Sequence, residues 1–359
     1  MLTEFGLIDR FFTRPRTDAS HRLHTDTGPQ ALAPTPDVPS HTALGIGDDC
    51  ALLMPAPGKQ LAISTDMLVA GRHFFADVEP HALGHKALAV NLSDLAAMGA
   101  QPRAFTLALA LPEAGEAWLQ GFSEGLFALA DRYACELIGG DTTAGPLNIC
   151  ITVFGEIEPG RALTRDAARS GDDIWVSGQL GDARLALGAA RQEWQVDSAD
   201  LPGLRRALER PEPRIALGLA LRGLAHAALD LSDGLAGDLQ HILKRSGLTA
   251  CVDIDALPRS AAVARQTPAI QRLCTIAGGD DYELCFTAAP AARERIAALS
   301  TTLGLPLTRI GTIRDAVLAA PQPPPARPRP LINWVDADGK PLPDTLTNTF
   351  HGFDHFDAD

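Results

Sequence analysis

Acidic residues recur in this sequence beside glycine, serine or threonine, in short segments suited to metal binding. The first segment, GIGDDCALL at 45–53, places Asp48 and Asp49 side by side just before an apolar run. Adjacent carboxylates repel each other, but a divalent cation held against a phosphate compensates that repulsion. The other segments are STD (64–66), NLSD (91–94), GGDTT (139–143), DLSDG (230–234) and GGDDYEL (278–284). Together they predict one metal-rich, phosphate-handling site.

Most of these segments also have an ordinary structural explanation. Asp48 and Asp49 could form an Asx turn, and Asp233 could cap or charge the N-terminus of a helix. The segment GGDD also suits a hairpin turn. We predict that GGDTT is a flexible loop whose backbone N–H groups can approach an anion, and an ordinary turn is the alternative. Asp66 is predicted to end a strand, where a lone Asp usually forms a turn.

Asp94 carries more information, because it lies within a largely apolar helical segment. Asn91 precedes it by three residues, so both side chains should project from one face of the helix. An unpaired buried carboxylate is costly, which favours a bound cation over the alternative of a polar helix edge. Asp230 likewise has no easy role as a cap. His73 follows STD closely, and could equally be a substrate contact or a surface residue.

Composition and absent motifs exclude several functional classes. The 359 residues suggest two domains, and the net charge of −13 argues against binding to a nucleic-acid backbone. The sequence has no apolar run of membrane-spanning length and no signal-peptide pattern, so we expect a cytoplasmic protein without a membrane partner. Its six cysteines form no CxxC pair and are interpreted as reduced core residues. P-loop, kinase HRD and DFG, GxSxG and HExxH motifs are all missing.

Strands and helices should alternate in both halves of the chain, which predicts an α/β or α+β fold. A short amphipathic helix should carry Phe5, Ile8, Phe11 and Phe12 on one side. The clearest later elements are strands at 60–65, 103–111 and 148–157 and helices at 80–98 and 114–134. We predict an N-terminal domain over 1–157 and a C-terminal domain over 158–359, with a flexible insertion at 17–43 and a stiff Pro-rich loop at 321–330.

These residues resemble the thiamine-monophosphate kinase family, which is related to aminoimidazole ribonucleotide synthetase. The similarity runs from about residue 44 to residue 356, and its most specific strings are LAISTDMLVAGRHF and KALAVNLSDLAAMGA. Further matching strings are GIGDDCALL, LIGGDTT, GRALTR, DLSDGLAGDL, GGDDYELCFT and GFDHF. The resemblance implies a two-domain fold that dimerises through its N-terminal sheets. It also implies transfer of the ATP γ-phosphoryl group to thiamine phosphate, with no general base.

The resemblance also assigns roles to residues at matching positions. Several Mg²⁺ ions would be held by Asp49, Ser64, Thr65, Asp66, Asp94, Asp141, Asp230 and Asp233. ATP would contact Gly140, Asp141, Arg165 and Ser232. The thiamine moiety would contact His73, Asp280 and Phe353. The family usually has Glu at the position of Asp280 and often Tyr or Trp at that of Phe353.

Three other interpretations of the sequence stay open. A ligase of the aminoimidazole ribonucleotide synthetase type would share the acidic segments but differ on the acceptor side. A non-catalytic nucleotide or metal sensor would have a degraded site, which the retained acids oppose. A metal-dependent phosphohydrolase would need an activated water and would release inorganic phosphate.

Overall fold

The computed structural model of this chain describes residues 4–14, 41–316, 331–350 and 352. The strands are β1 Thr42–Leu44, β2 Leu52–Leu53, β3 Gln60–Val69, β4 Gln101–Leu111, β5 Glu136–Ala144, β6 Asn148–Ile157, β7 Asp173–Ser177, β8 Ala227–Asp230, β9 Leu248–Asp253, β10 Leu284–Ala288, β11 Leu307–Asp315 and β12 Ile332–Val335. The α-helices are α1 Glu4–Leu7, α2 Pro80–Met98, α3 Glu116–Arg132, α4 Asp182–Ala190, α5 Leu201–Glu209, α6 Ile215–Leu221, α7 Leu235–Ser246, α8 Ala261–Ala264, α9 Pro268–Arg272, α10 Arg293–Leu303 and α11 Asp344–Thr347. Short π-helical turns span Ile8–Phe12 and Leu273–Ala277, and a 3-10 turn spans Pro290–Ala292.

The first half of the chain forms a four-stranded sheet in the order β3-β6-β4-β5. Strand β6 pairs antiparallel with both β3 and β4, while β4 and β5 are parallel. Helices α2 and α3 pack against each other, and α2 also packs against β3 and β6. In β4 the alternating residues Phe105, Leu107, Leu109 and Leu111 are all buried, as the sequence pattern predicts.

Helix α2 has the predicted bounds because both of its ends carry clear signals. Pro80 occupies its first turn, where the missing N–H costs no hydrogen bond. The Glu79 side chain accepts hydrogen bonds from the backbone N–H groups of His81 and Ala82. Gly99 closes the helix in the left-handed conformation at φ 69°.

Two predictions about the acidic segments of this half were wrong. Strand β3 does not end at Asp66 but continues to Val69, paired with β6 along its whole length. The segment GGDTT is not a loop, because it lies inside the edge strand β5. A Cβ atom on Gly140 would stand 1.8 Å from the Leu107 carbonyl oxygen. Gly140 therefore allows a close approach of β5 to β4, next to a register shift between Phe105 and Thr106.

The second half of the chain forms a six-stranded sheet in the order β12-β9-β11-β7-β10-β8. Only β12 and β9 pair in parallel; the other neighbours are antiparallel. The predicted strands and helices of this half are present, with the 290–303 helix entered through a 3-10 turn. The mixed helix and sheet content confirms the predicted fold class.

The remaining structural predictions have mixed outcomes. All six cysteines have free thiols, but only Cys135, Cys274 and Cys285 are buried, and Cys50 is exposed. Phe11 and Phe12 are buried at the predicted N-terminal helix. Residues 17–40 of the predicted insertion and all of 321–330 lie outside the described residues. Within the described ranges, no helix is both long and apolar enough to cross a membrane.

Candidate active site

Helix α2 lies between the two halves of the chain and points consecutive side chains at both of them. Asp94 accepts a hydrogen bond from the Ser64 hydroxyl at 2.5 Å, on β3. Asn91 accepts the backbone N–H of Asp66 at 3.0 Å, on the same strand. Ser93 points elsewhere and donates to Asp230 Oδ2 at 2.6 Å, at the end of β8. The predicted shared direction of Asn91 and Asp94 is thereby confirmed.

Five carboxylates meet where α2 contacts the second half of the chain. We name them the acid cluster: Asp66, Asp94, Asp230, Asp233 and Asp238. Burial, with the negative charges of Asp94 and Asp233, raises the pKa of Asp66 from 3.8 to about 7. Burial and then the charge of Asp94 raise the pKa of Asp230 to about 7, although the Ser93 hydrogen bond opposes the rise. Both carboxyl groups are thus buried, and each is affected by the negative charge of Asp94.

The loop before α7 adds Asp233 to the cluster, and the first turn of α7 adds Asp238. The Asp233 backbone N–H donates to Asp238 Oδ2 at 3.0 Å, which fixes the turn that enters the helix. Burial and then the charge of Asp233 raise the pKa of Asp238 well above its ordinary value. The N-cap of α7 is Gly234 rather than Asp233. The alternative that Asp233 only caps the helix therefore loses support.

The donor set of the acid cluster fits Mg²⁺. Carboxylate oxygens are the ligands that this hard cation prefers, and a cation would relieve the repulsion that raises the pKa values of Asp66 and Asp230. In the part of the chain that the structure describes, no three Asp, Glu, His or Cys side chains form a ready-made metal cage. Such a cage is not required, because Mg²⁺ usually binds one or two carboxylates and completes its shell with water and substrate phosphates.

Other predicted metal ligands lie apart from the cluster. Thr65 is on the opposite face of β3, where its hydroxyl bonds to the Thr152 hydroxyl at 2.8 Å. Asp49 is exposed before β2, and Asp141 is exposed on β5. Strands β3 and β5 are opposite edges of the sheet, about 14 Å apart at three strand spacings. Within one chain, the structure therefore does not bring Asp141 and Gly140 to Asp66.

The other predicted ATP contacts lie nearer to the cluster. Burial raises the pKa values of Asp94 and Asp238, and the positive charge of Arg165 opposes both rises. Ser232 stands in the chain between Asp230 and Asp233. Its carbonyl oxygen accepts the backbone N–H of Asp280 at 2.8 Å. This bond joins the acid cluster to the second Gly-Gly-acid segment.

His73 and Asp280, the predicted thiamine contacts, line one pocket between the two halves of the chain. Its apolar lining includes Phe74, Phe75 and Leu187. The Nδ1 atom of His73 accepts the Val69 N–H at 3.0 Å, so the neutral ring carries its proton on Nε2. The pocket thus combines apolar surface with a few polar groups, as ligand sites usually do.

The pair Asp280–Asp281 divides into one site-facing residue and one structural residue. Asp281 accepts the Gly181 N–H at 2.9 Å, and burial raises its pKa well above the ordinary value. Asp280 instead faces the pocket and is 30% exposed. Burial, and then the charge of Asp280, raises the pKa of the nearby Tyr282 hydroxyl; cluster acids add to that rise, namely Asp66, Asp230 and Asp233. Because Asp280 also bonds through its N–H to Ser232, between Asp230 and Asp233, the pocket and the acid cluster are neighbours.

Phe353, the third predicted thiamine contact, lies outside the described residues. Its neighbour Gly352 is described and approaches α7 closely. A Cβ atom on Gly352 would stand 2.7 Å from the Gly237 Cα atom and 3.3 Å from the Asp233 carbonyl oxygen. The start of the GFDHF segment therefore lies beside the acid cluster.

The sequence analysis missed three residues of this site. Ser93 lies next to Asp94, but only the tertiary fold shows that it reaches Asp230. Asp238 follows Asp233 by five residues, a spacing that looks like an ordinary helix surface. Lys86 is 3% exposed and binds Asp280, yet in the sequence it is a single lysine in an apolar helix. That last contrast was a usable signal, because a buried charge needs a partner.

Comparison with known proteins identifies the family of this chain. The family AIR synthase related protein, N-terminal domain, matches residues 47–157, and its C-terminal domain matches residues 169–319. Thiamine-monophosphate kinase of Escherichia coli strain K12 is 48% identical over 98% of both chains. The crystal structure of thiamine-monophosphate kinase from Stenotrophomonas maltophilia K279a is 48% identical, with a TM-score of 0.76 over 85% of this chain and 93% of that one.

A further solved structure carries ligands of interest. AaThiL complexed with AMPPCP and TMP is 29% identical to this chain, with a TM-score of 0.69 over 84% of this chain and 89% of that one. The two-domain AIR synthase-like fold is thus shown. Because it is 46% and 48% identical to two thiamine-monophosphate kinases over 98% of its length, the chain belongs to the thiamine-monophosphate kinase family.

Proposed function

We propose that this protein transfers the γ-phosphoryl group of ATP to thiamine phosphate, giving thiamine diphosphate and ADP. The bond between the β–γ bridging oxygen and the γ-phosphorus breaks, and a thiamine phosphate oxygen forms the new bond. The acid cluster beside the His73–Asp280 pocket carries this proposal, because it puts a phosphate-handling region next to an acceptor pocket. The related AaThiL complex holds AMPPCP and TMP together.

The residues present suit a reaction governed by positioning and charge. Thiamine phosphate is already anionic near neutral pH, so the attacking oxygen needs no general base. We assign Mg²⁺ binding to Asp66, Asp94, Asp230 and Asp233, and keep Asp49, Ser64, Thr65 and Asp141 as predicted ligands. When bound, Mg²⁺ would neutralise phosphate charge and orient the two substrates. Asp94 is held in place by Ser64, and Asp230 by Ser93.

Substrate contacts follow from the same arrangement. Arg165 can bind a phosphate through two N–H groups, and Ser232 lies between the acids and the acceptor pocket. Gly140 and Asp141 keep their predicted ATP role, although one chain holds them on a distant edge strand. His73 and Asp280 contact the thiamine moiety in our proposal, together with Phe353. Asp280 offers a negative charge to the cationic thiazolium ring.

The proposed function is tested by identifying the products. We expect thiamine diphosphate and ADP when the protein is incubated with ATP, Mg²⁺ and thiamine phosphate, and no reaction when Mg²⁺ is chelated. Mass spectrometry of the products measures this outcome. Release of inorganic phosphate without thiamine diphosphate would identify a phosphohydrolase instead, and absence of any turnover would favour a sensor.

We also propose that the protein is a homodimer formed through its four-stranded sheet. Leu61, Ile63 and Met67 alternate along the edge strand β3 and are exposed on the face away from α2, Ile63 at 60%. Apolar surface of this kind on an edge strand is suited to pairing with a second copy. We expect a dimer by light scattering and a shift toward monomer in Ile63→Lys. A monomeric wild-type protein at micromolar concentration would contradict this proposal.

The domain division and the location are proposals of the same kind. We propose domains over 1–157 and 158–359, supported by the observation that the described strands of the two larger sheets pair only within their own half. We propose a cytoplasmic location, supported by six free thiols, which are typical of proteins in a reducing compartment.

A further inference from the structure

Lys86 is a buried cation that touches both sides of the acceptor pocket. It lies on α2, and its side chain is only 3% exposed. Its Nζ atom donates to Asp280 Oδ1 at 2.8 Å and to the His73 carbonyl oxygen at 3.3 Å. One side chain thus joins the turn after β3 to the GGDDYEL segment, which belong to opposite halves of the chain.

This contact should hold the Asp280 carboxylate and the His73 carbonyl in place, because a buried ammonium group is costly without partners. Its desolvation is offset only if the carboxylate and carbonyl stay within hydrogen-bond distance. The ion pair uses Asp280 Oδ1. Within the described residues Oδ2 has no hydrogen-bond partner, so this oxygen is left to accept a bond from a ligand.

The backbone around Asp280 is also held in an uncommon conformation. Asp280 has φ 66° and Tyr282 has φ 49°, both in the left-handed region that non-glycine residues rarely adopt. The strained segment is held by the Asp280 N–H bond to Ser232 and by the Tyr282 N–H bond to the Leu231 carbonyl, each at 2.8 Å. These bonds hold the backbone, whereas Lys86 holds the Asp280 side chain.

We propose that Lys86 is a positioning residue that sets the Asp280 carboxylate and the His73 turn for binding of thiamine phosphate. The inference rests on the proposed function, since it needs thiamine phosphate as the acceptor. In this proposal Lys86 acts through Asp280 and His73, the two residues that its Nζ atom contacts. Its loss should weaken binding of the acceptor and leave ATP binding and the chemical step largely intact.

The test compares Lys86→Met, Lys86→Arg and the control Lys59→Met in the full-length protein. Lys59 also forms an ion pair with an acid, Glu158, but it directly precedes β3, at the opposite end of that strand from the His73 turn. We expect Lys86→Met to raise KM for thiamine phosphate between about tenfold and a hundredfold, the range that misplacement of a substrate contact can produce. The KM for ATP and kcat should change less than about threefold. Lys86→Arg keeps the charge and should show a smaller rise, while Lys59→Met should match wild type.

A second readout separates positioning from general stability. Direct titration with thiamine phosphate alone should show the same loss of affinity as KM, and Tm should be reported for each variant. A thiamine phosphate KM within about twofold of wild type in folded Lys86→Met would overturn the inference, as would equal rises in both KM values. If the Met variant does not fold, the same comparison on Lys86→Arg decides. A wild-type protein that makes no thiamine diphosphate would refute the proposed function itself.

Discussion

Asp94→Asn should lose at least about a hundredfold in kcat while keeping its fold. Substitution of a residue that only hydrogen-bonds to a metal ligand usually costs about 10–100-fold, and loss of a ligand itself should cost more. The substitution preserves side-chain size but removes the charge that we assign to Mg²⁺ binding. The Ser64 hydroxyl can still donate to the amide oxygen, so the helix and β3 should keep their contact. Steady-state kinetics over a range of Mg²⁺ concentrations measure the effect, which should be largest at low Mg²⁺.

Thermal melting gives a readout of Asp94 that does not depend on turnover. Asp66 and Asp230 have folded pKa values of about 7 against an ordinary 3.8. Between these values the folded chain holds more protons than the unfolded chain, so its stability falls as pH rises through this window. At pH 8 Mg²⁺ should therefore raise the Tm of wild type, and should raise that of Asp94→Asn less.

The matched control for Asp94 is Asp131→Asn, an exposed acid on α3 that pairs with Arg14. Exposed ion pairs contribute little, so this variant should keep wild-type activity and Mg²⁺ response. Unchanged turnover in Asp94→Asn would remove this residue from the site and would count against the assignment of the whole cluster.

Gly140→Ala should lose about 3 kcal/mol of unfolding free energy, the upper part of the range for overpacked substitutions. The new Cβ atom would stand 1.8 Å from the Leu107 carbonyl oxygen, and Gly140 has φ 150°. Strand β5 must then move away from β4 or lose its pairing there. Urea denaturation, followed through the midpoint concentration at constant slope, measures this loss.

The adjacent glycine provides the control for Gly140. A Cβ atom on Gly139 would have Thr106 Cγ2 as its nearest neighbour at 4.0 Å. Gly139→Ala should therefore stay within about 1 kcal/mol of wild type. Equal losses in the two variants would show that flexibility of the pair, rather than the close approach at Gly140, explains its presence.

Local signals explain which elements the sequence predicted well. Helix α2 begins with Pro80 and ends with Gly99, and both signals act within one turn of the chain. The strand β4 was predictable because its alternate residues Phe105, Leu107, Leu109 and Leu111 are buried. The GGDTT segment was misassigned because double glycine is typical of turns, while the close approach that requires it here comes from β4.

The sequence identified the acidic residues of the site, but it could not show how they are arranged in space. Asp66, Asp94 and Asp230 meet because β3, α2 and β8 meet. Asn91 could be placed beside Asp94 from its spacing, but Ser93, which reaches Asp230, had no sequence signature. Sequence also could not separate Asp280 from Asp281, since only the Gly181 contact shows which one is structural. For Lys86 the apolar helix around it was a signal of burial, but its partner, 194 residues away, could not be identified from the sequence.

The contacts that join α2 to the two halves of the molecule depend on which way its side chains point around the helix axis. Ser93 and Asp94 are consecutive, and one residue turns an α-helix by about 100°, which lets neighbours address different domains. Inserting or deleting one residue after Asn91 would therefore redirect both contacts together. Length variation can accumulate in surface loops, but the stretch between Asn91 and Asp94 has no such freedom.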